Sequence, residues 1–533
     1  MGTAPNVNCL VEGTFLQMTS PYETPAWACE FGESGFRKAY APYLPAALGD
    51  WRPSQIFRKT LSSSPISKTG KSTSYLGLYD MGPTLDAGSK MLLASTLGLR
   101  SAGTHKGVVF LAGPAINQQA INVFAFNART NQFIGAQPVP GYNNIRKWIV
   151  AGGEMYTTVG KVGGGGALVK WAGSLASPFQ FVEVGTLPSE GAELVEHAGR
   201  IFVATWPTVD PAKPVYSGIF KTNTIPAKGG LPASQSPLTK YWDARDYEPD
   251  PIIALSYGGG ALASYKGELV WGTMHVPLVA TAIHMQVYAK YYNSIINPEE
   301  KAAKSFLALL ATQRGIAIFS TKNRSTEIQL LYGQAKLPAF DPVNHWKLLS
   351  NSSDLTPKMG LSGFNNFFNN YTWTMATNGD SLFVGTMDWS YLLRSRLSGL
   401  IDQLMPESEG QFDAWLADAT ASNPDLGQFL DEHGEFVETL RGQFREMDPV
   451  IAENPRDLFA YGADLMRFDS LGSKALAVSR NGLGNYANYG FRTMIADGNK
   501  LFIGSANPMN LLTDEDGTTL LGGWELINLN LIK

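Results

Sequence analysis

Cysteine is almost absent from this chain of 533 residues, in which Cys9 and Cys29 are the two cysteines. Their spacing would allow a disulfide that tethers the start of the chain, and two buried thiols are the alternative. No Cys-x-x-Cys pair occurs. The sequence therefore excludes a thiolate zinc motif and a thioredoxin-like redox motif.

Charge and long apolar runs are also scarce. Charged residues make up 17% of the chain, below the usual share of about a quarter, and the net charge is −4. Because no Lys/Arg-rich stripe occurs, we predict no nucleic-acid partner. No apolar run approaches the roughly 20 residues that cross a bilayer, so we predict no membrane span. Phosphate-loop, dinucleotide, nucleophile-elbow and His-Glu-x-x-His motifs are missing as well.

Residues 1–5 show neither the charged nor the apolar region of a signal peptide. The cysteine pair, the low lysine content and the Asn/Gly/Thr-rich loops nevertheless favour an exported bacterial protein, secreted or periplasmic.

Glycine and aromatic residues are abundant, with 55 glycines and 11% aromatics, which favours a β-rich fold with tight turns. One pattern recurs along the chain: an apolar strand, a Gly/Asn turn and a second apolar strand, which predicts a β-hairpin. The seven copies lie at 11–16, 105–111, 149–156, 196–203, 263–273, 372–386 and 491–504.

A third strand follows each hairpin after a variable loop, and a fourth is visible in some copies, as at 179–183. Four-stranded antiparallel units of about 45 residues are typical of propeller blades. We therefore predict an all-β fold, one seven-bladed β-propeller domain over 1–533, with six or eight blades as alternatives. A β-sandwich would not explain the repeated hairpin. The predicted third strands are 55–59, 122–126, 167–171, 218–222, 327–331, 464–468 and 524–528.

The last copy contains the stretches 488–494 (NYGFRTM), 507–510 (NPMN) and 522–526 (GGWEL). In these stretches the chain resembles a widespread, largely uncharacterised group of bacterial secreted β-propeller proteins. The resemblance implies the fold and no activity. The Ser-x-Asp-x-Gly-x-Thr-Trp box of sialidases and the Gly-His…Trp-Asp pattern of WD40 proteins are missing, and the scattered histidines do not resemble the four-His iron site of carotenoid-cleaving propellers.

Two stretches break the β pattern and are predicted to be helical: 286–312 in blade five and 390–460 in blade six. Both fall between the second and third strands of their blades, so they should lie on one face and touch. We predict that they cap the central mouth, the alternative being that they merely stabilise or dimerise the propeller.

Alignment of the hairpins brings His275, Asp388 and Asn507 into one ring just past the second strands of three successive blades. An imidazole and a carboxylate on adjacent blades would suit general acid–base catalysis by His275 and Asp388. No cofactor is predicted. The ring leaves room for a metal ion in the central mouth, although two ligands are too few to name one. The alternative is that these residues cap strand ends.

A second aligned column, at the start of the innermost strands, contains Arg146, Trp373 and Arg492. Arginines that face a mouth suit a carboxylate or phosphate ligand, although they could instead bridge blade loops. Trp389 and Tyr489 lie nearby, where they would line a pocket or pack beneath the cap.

Two functions fit these features. The first is a capped propeller enzyme, a lyase, isomerase or hydrolase, that acts on a small anionic substrate in the central mouth. The second is a non-catalytic binding or assembly protein that uses the helical insertions, chiefly 390–460, as a partner or oligomer interface. A propeller fold hosts both roles and does not choose between them.

Overall fold

The structure is a computed structural model that describes residues 84–97, 99–323, 325–343, 345–390, 462–483, 488–497 and 500–506, with five further strands near the chain ends and helical residues within 409–438. Cys29, Asn507 and most of the predicted insertion 390–460 lie outside the described residues.

Most of the described chain forms sheets of four strands that follow one another along the sequence. The strands of the first four blades, four to each blade, are β1 Cys9–Val11, β2 Thr14–Leu16, β3 Phe57–Leu61, β4 Leu76–Asp80, β5 Ser101–His105, β6 Val108–Pro114, β7 Ala120–Asn127, β8 Phe133–Pro140, β9 Tyr142–Ala151, β10 Glu154–Lys161, β11 Gly166–Trp171, β12 Phe181–Leu187, β13 Gly191–His197, β14 Arg200–Thr205, β15 Gly218–Lys221 and β16 Thr239–Asp243.

Blade five consists of β17–β20, a separate hairpin of β21–β22 follows it, blade six consists of β23–β26 and blade seven of β27–β29. These strands are β17 Tyr257–Tyr265, β18 Glu268–His275, β19 Ile318–Lys322, β20 Gln329–Tyr332, β21 Lys336–Asp341, β22 His345–Ser350, β23 Asn369–Asn378, β24 Ser381–Asp388, β25 Leu465–Phe468, β26 Leu476–Ser479, β27 Gly490–Asp497, β28 Lys500–Ala506 and β29 Leu526–Asn530.

Helices occupy the connections between these strands. They are α1 Ala87–Ala94, α2 Pro251–Ala254, α3 Val279–Val287, α4 Ala289–Ser294, α5 Pro298–Thr312, α6 Glu409–Ser422 and α7 Pro424–Glu432, with short 3₁₀ turns at Ala244–Asp246 and Ser362–Asn365.

The innermost strands contact one another in chain order: β5 with β9, β9 with β13, β13 with β17, β17 with β23 and β23 with β27. Strand β2 contacts both β5 and β27, so the two ends of the chain meet. The fold is therefore a β-propeller, as the repeated hairpins predict. The count of seven blades stays a prediction, since most of the residues around blade one lie outside the described part of the chain.

Blades two to six bury both of their faces against their neighbours. In β18, Leu269 and Trp271 pack into one core with Trp242 of blade four, whereas Val270 packs into another with Val384 of blade six. Successive side chains of a strand point to opposite faces, so each strand serves two blade interfaces in turn. A sheet that is apolar on both sides cannot bury itself alone, which is why the blades stack radially.

The structure corrects the prediction for blade five. Its third strand is β19, whereas the predicted segment 327–331 overlaps the fourth strand, β20. Both segments are short and contain large apolar side chains, so the pattern alone does not separate them. The helical insertion also begins at Val279, before the predicted start at 286.

Helices α3–α5 lie between β18 and β19, and helices α6 and α7 lie between β24 and β25. Both sets thus connect a second strand to a third, and α5 contacts α7.

Inside the first set, His284 shares a 2.8 Å hydrogen bond with the Tyr292 hydroxyl and stacks on Trp346 of the β21–β22 hairpin. Burial lowers the pKa of His284 to about 4, so this imidazole is a neutral packing group at pH 7.

A fully buried ion pair anchors the first insertion to the propeller. Arg314, just past α5, donates from Nε to Glu248 Oε2 at 2.8 Å and from Nη2 to Glu248 Oε1 at 3.1 Å. Its Nη2 also reaches the Pro338 carbonyl at 2.6 Å, and Tyr257 donates its hydroxyl to Glu248 at 3.0 Å. The pair therefore joins the end of the insertion, the link between blades four and five, and β21.

Glu248→Gln is expected to lower the free energy of unfolding by about 3–5 kcal/mol, because the substitution leaves the buried Arg314 guanidinium without its counter-charge. The measurement is urea denaturation. Glu154→Gln is the matched control, since Glu154 pairs with the half-exposed Lys106 and should cost no more than about 1 kcal/mol. Equal losses in the two variants would contradict the anchoring role of the buried pair.

Candidate functional site

A cluster of aromatic side chains lies where the second strands end and the inner strands begin, at the face that we call the mouth. Trp373 stacks on Tyr489 with ring centroids 6.2 Å apart, and Tyr371 meets both Trp373 and Trp389 edge-on at 5.8 and 5.9 Å. Trp206 packs against the same cluster. The aromatic cluster, formed by these five residues, thus spans blades four to seven and contains the predicted Trp373, Trp389 and Tyr489.

Two predicted arginines cover the aromatic cluster. The guanidinium carbon of Arg146 lies 4.3 Å from the ring centroid of Trp206, and that of Arg492 lies 5.1 Å from the centroid of Trp373. Arg146 also approaches Glu190, with Nε 3.7 Å from Oε1, and its side chain is 14% exposed. Cation–π contacts of this kind hold a guanidinium plane in place against an aromatic ring.

A β-bulge places these side chains. The pairing register shifts at Trp373 in β23 and at Arg492 in β27, so each is an extra residue of its strand, and β23 has a second shift at Asn370. The register of β9 shifts at the same position, around Arg146. A bulge bends its strand and re-aims the side chain, and bulges are frequent beside functional sites. The second aligned column of the sequence is thus a column of bulges.

Gly490 is the residue that allows this stacking. A Cβ atom at Gly490 would collide with the six-membered ring of Trp373, which lies directly on the start of β27. Glycine is the residue that permits so close an approach of a ring to a backbone.

His275 lies outside the aromatic cluster. It is fully buried, and its ring meets that of Tyr257 edge-on at 5.5 Å. Neither ring nitrogen has a hydrogen-bond partner among the described residues. Burial, assisted by the charge of Arg314, lowers the pKa of His275 to about 3, so the imidazole is neutral at physiological pH.

Asp388 is equally buried, but both of its carboxyl oxygens accept hydrogen bonds. Its Oδ2 accepts a 2.9 Å hydrogen bond from the Asn366 amide, and its Oδ1 accepts from the backbone N–H of Ser390 at 2.8 Å and from the Ser390 hydroxyl. Burial and the charge of Asp464 outweigh these donors and raise the pKa of Asp388 to about 7. The bond to the Ser390 backbone is the strand-end capping that the sequence left open as an alternative.

The structure does not bring His275 and Asp388 together as an acid–base pair. Met274 and Met387 point into the aromatic cluster, and the side chains that follow them in β18 and β24 point the opposite way. His275 therefore faces the Tyr257 and Arg314 side, next to blade four, whereas Asp388 faces the connection between blades five and six. Equivalent positions on adjacent blades serve separate interfaces.

Asp464 is a residue that the sequence did not single out. It is fully buried, and its Oδ2 accepts from the Asn369 amide at 2.7 Å and from Arg480 Nη1 at 2.9 Å. Its Oδ1 has no hydrogen-bond partner in the described part of the chain. Burial raises the pKa of Asp464 against the opposing effect of Arg480. Asp388 and Asp464 are thus two buried carboxyl groups, of which Asp464 raises the pKa of Asp388, and Arg480 lies beside Asp464; we call them the carboxyl pair.

Asn507, the third predicted ring residue, lies outside the described residues. Where side chains are described, no group of three or more His, Cys, Asp or Glu residues is arranged to hold a metal ion. No helix in the described ranges is long and apolar enough to cross a membrane.

No protein-family model and no curated protein matches the chain. Among solved structures, it is similar to an exo-β-1,3-galactanase from Phanerochaete chrysosporium with β-1,3-galactotriose, at 11% identity over 31% of this chain and 38% of that chain, with a TM-score of 0.21. It is also similar to the GH43_1 enzyme from Xanthomonas citri complexed with xylose, at 8% identity over 54% and 80% of the two chains, with a TM-score of 0.26.

The tricorn protease matches at 7% identity over 82% of this chain and 30% of that chain, with a TM-score of 0.31. The chain spans less than half of the galactanase that it matches. Likenesses this distant carry no argument about activity, and the assignment of the fold rests on the sheets of the chain itself.

Asp388→Asn is expected to change how stability depends on pH. The carboxyl titrates near pH 7 in the folded state and near 3.8 when unfolded, so the folded state binds more protons between these values. This group therefore destabilises the wild type as the pH rises through that window. The asparagine variant has no such carboxyl group and does not lose this stability as the pH rises. Its free energy of unfolding relative to wild type should therefore grow by up to about 4 kcal/mol between pH 4 and pH 8.

The free energy of unfolding of both proteins is measured by urea denaturation across this pH range. Asp380→Asn, which changes an exposed carboxyl in the turn of the same hairpin, is the control and should leave the profile parallel to that of wild type. A parallel profile for Asp388→Asn as well would show that Asp388 is ionised throughout.

Proposed function

We propose that this protein binds a small anionic molecule at the propeller mouth. The observation that carries the proposal is the placement of Arg146 and Arg492 over Trp206 and Trp373 of one aromatic cluster. The two cations come from blades three and seven, and each lies on a ring contributed by a neighbouring blade. A ligand bound at the aromatic cluster would therefore be contacted by Arg146 from one side and by Arg492 from another.

The chemistry of the aromatic cluster defines the class of ligand. Guanidinium groups donate two parallel hydrogen bonds to carboxylate or phosphate, and an indole face offers apolar area to the body of the ligand. The indole nitrogens of Trp206 and Trp389 are buried and have no hydrogen-bond partner among the described residues, so each is a donor that a ligand could use. A carboxylate or phosphate on a flat or ring-shaped body fits these groups.

A second candidate function is catalysis on that ligand, as a hydrolase, lyase or isomerase. The observation that favours it is the carboxyl pair, in which Asp388 titrates near neutral pH and Asp464 has a cation at 2.9 Å. Pairs of carboxyl groups in unequal environments commonly divide the roles of acid and base. Asp388 stands between Met387 and Trp389 of the mouth in sequence, while its own side chain faces the connection between blades five and six.

Other expectations from the sequence remain proposals. A helical cap over the mouth would be formed by α3–α5 together with the insertion 390–460, and export from a bacterial cell would explain the composition. An oligomer interface on 390–460 belongs with them, since most of that segment lies outside the described residues.

Arg146→Met is expected to weaken binding of a small anion at the mouth by about tenfold or more, because a charge-assisted hydrogen bond contributes about 1.5–3 kcal/mol. The measurement is isothermal titration with a panel of citrate, inorganic phosphate and D-glucuronate. Lys106→Met, which removes a cation from a hairpin turn at the opposite face, is the control and should change nothing. Unaltered affinity in Arg146→Met would contradict the proposed binding site.

Catalysis is tested by incubating each bound ligand with the protein and following the products by NMR. If the carboxyl pair performs acid–base chemistry, Asp464→Asn should lower turnover by at least about a hundredfold. His275→Gln should retain it, since His275 serves a different interface. Absence of turnover of every ligand that binds would contradict the catalytic function and leave the binding function standing.

A further inference from the structure

A cleft of about 540 Å³ opens between blades four and five, at the face opposite to the mouth. Its walls come from the hairpin turn of β13 and β14, from the ends of β15 and β19, and from β16 and β18. The mouth lies at the other end of the same strands, where β14 ends before Trp206. A cleft of this volume is large enough for a small organic ligand.

The charge of this cleft has one sign. Arg200, Lys221 and Lys322 line it, and none of the described lining residues is Asp or Glu. None of the three cations has an ion-pair partner in the described ranges, although the chain as a whole has net charge −4. Three cations around one concave surface raise the local concentration of anions.

Two of these cations are held in place. Arg200 Nη1 donates to the Thr222 carbonyl at 2.9 Å, and Lys221 Nζ lies 4.9 Å from the ring centroid of Tyr241. Lys322 is exposed and pairs across the sheet with Glu268, which lines a neighbouring cleft of about 520 Å³. The Glu268 carboxylate balances part of the Lys322 charge, so Arg200 and Lys221 are the stronger anion-binding groups.

The rest of the cleft suits the body of a ligand rather than a bare ion. Tyr241 presents a ring that is braced edge-on by Phe202 at 5.5 Å. Thr224, Ser325 and Thr326 contribute hydroxyl groups. His197 is tied to the Ser264 hydroxyl at 2.9 Å, and burial lowers its pKa, so it adds a polar edge and no charge at neutral pH.

We propose that this cleft is a second binding site, specific for a small molecule that carries a carboxylate, sulfate or phosphate group, with Arg200 and Lys221 as the groups that hold the oxyanion. The site is independent of the mouth, because it uses other residues at the other end of the strands. Tyr241 and the hydroxyl groups would contact a ring-shaped or hydroxylated body attached to that oxyanion.

The test uses the full chain carrying Arg146→Met, so that binding at the mouth is weakened. Isothermal titration is performed with three anionic probes, inorganic phosphate, sulfate and D-glucuronate, and with neutral D-glucose. We expect at least one anion to bind with a Kd of roughly a millimolar or tighter, and glucose to bind at least about tenfold more weakly. Raising the salt concentration should weaken the anion, because the three cations are partly exposed.

Adding Lys221→Met should weaken the anion about tenfold, whereas Lys221→Arg should retain it, since the arginine keeps the charge and the stem. Thermal unfolding of both variants shows that they are folded. Lys213→Met, which changes an exposed lysine in the loop at the mouth end of blade four, is the matched control and should leave binding unchanged.

Three results would overturn the proposal: no binding of any of the three anions at about 10 mM, affinity that Lys221→Met does not change, or binding of glucose as tight as that of the best anion. The preferred anion shows the source of the oxyanion. Phosphate or sulfate would bind through the oxyanion alone, whereas glucuronate would need both its carboxylate and its sugar ring. Loss of binding in Arg146→Met alone would assign the anion to the mouth instead of this cleft.

Discussion

The fold depends on one constraint: each blade is apolar on both faces, so each face must be covered by the next blade. Alternation along a strand then decides which neighbour every side chain meets. Val270 and Trp271 are adjacent in β18 but belong to cores on opposite sides of the blade. The same rule operates at the mouth, where Met274 joins the aromatic cluster and His275 turns towards blade four. The chemistry of the mouth follows from the packing below it.

The insertion of blade five, α3–α5, is attached to the propeller by buried polar side chains. The Arg314–Glu248 pair closes it onto the link between blades, and burial makes this pair sensitive to any change that removes one partner. Asp250 supports the same junction, because its side chain caps α2 through the N–H of Ile252 at 2.8 Å and accepts the N–H of Phe340 at 3.0 Å. These buried side chains fix the base of α3–α5 to the propeller.

Much of the fold was predictable from the sequence, because a hairpin is a local pattern and this one recurs. The predicted segment 327–331 was misassigned because two apolar segments of similar length follow one insertion. Residue types at the mouth were also predictable: Arg146 and Arg492 come from alignment of the copies. The carboxyl pair was not, since Asp464 is separated from Asp388 by a long insertion and no local pattern links them. To predict the face of the blade to which a ring residue points, the register of the strand pairing must also be known.

We propose that the mouth attracts anions through guanidinium groups held on tryptophan rings. The most direct measurement is a crystal structure of the protein soaked in selenate, with the anion located by its anomalous scattering. We expect a selenate within hydrogen-bond distance of the Arg146 guanidinium, beside Trp206. Selenate bound elsewhere on the molecule, with none at Arg146 or Arg492, would contradict it.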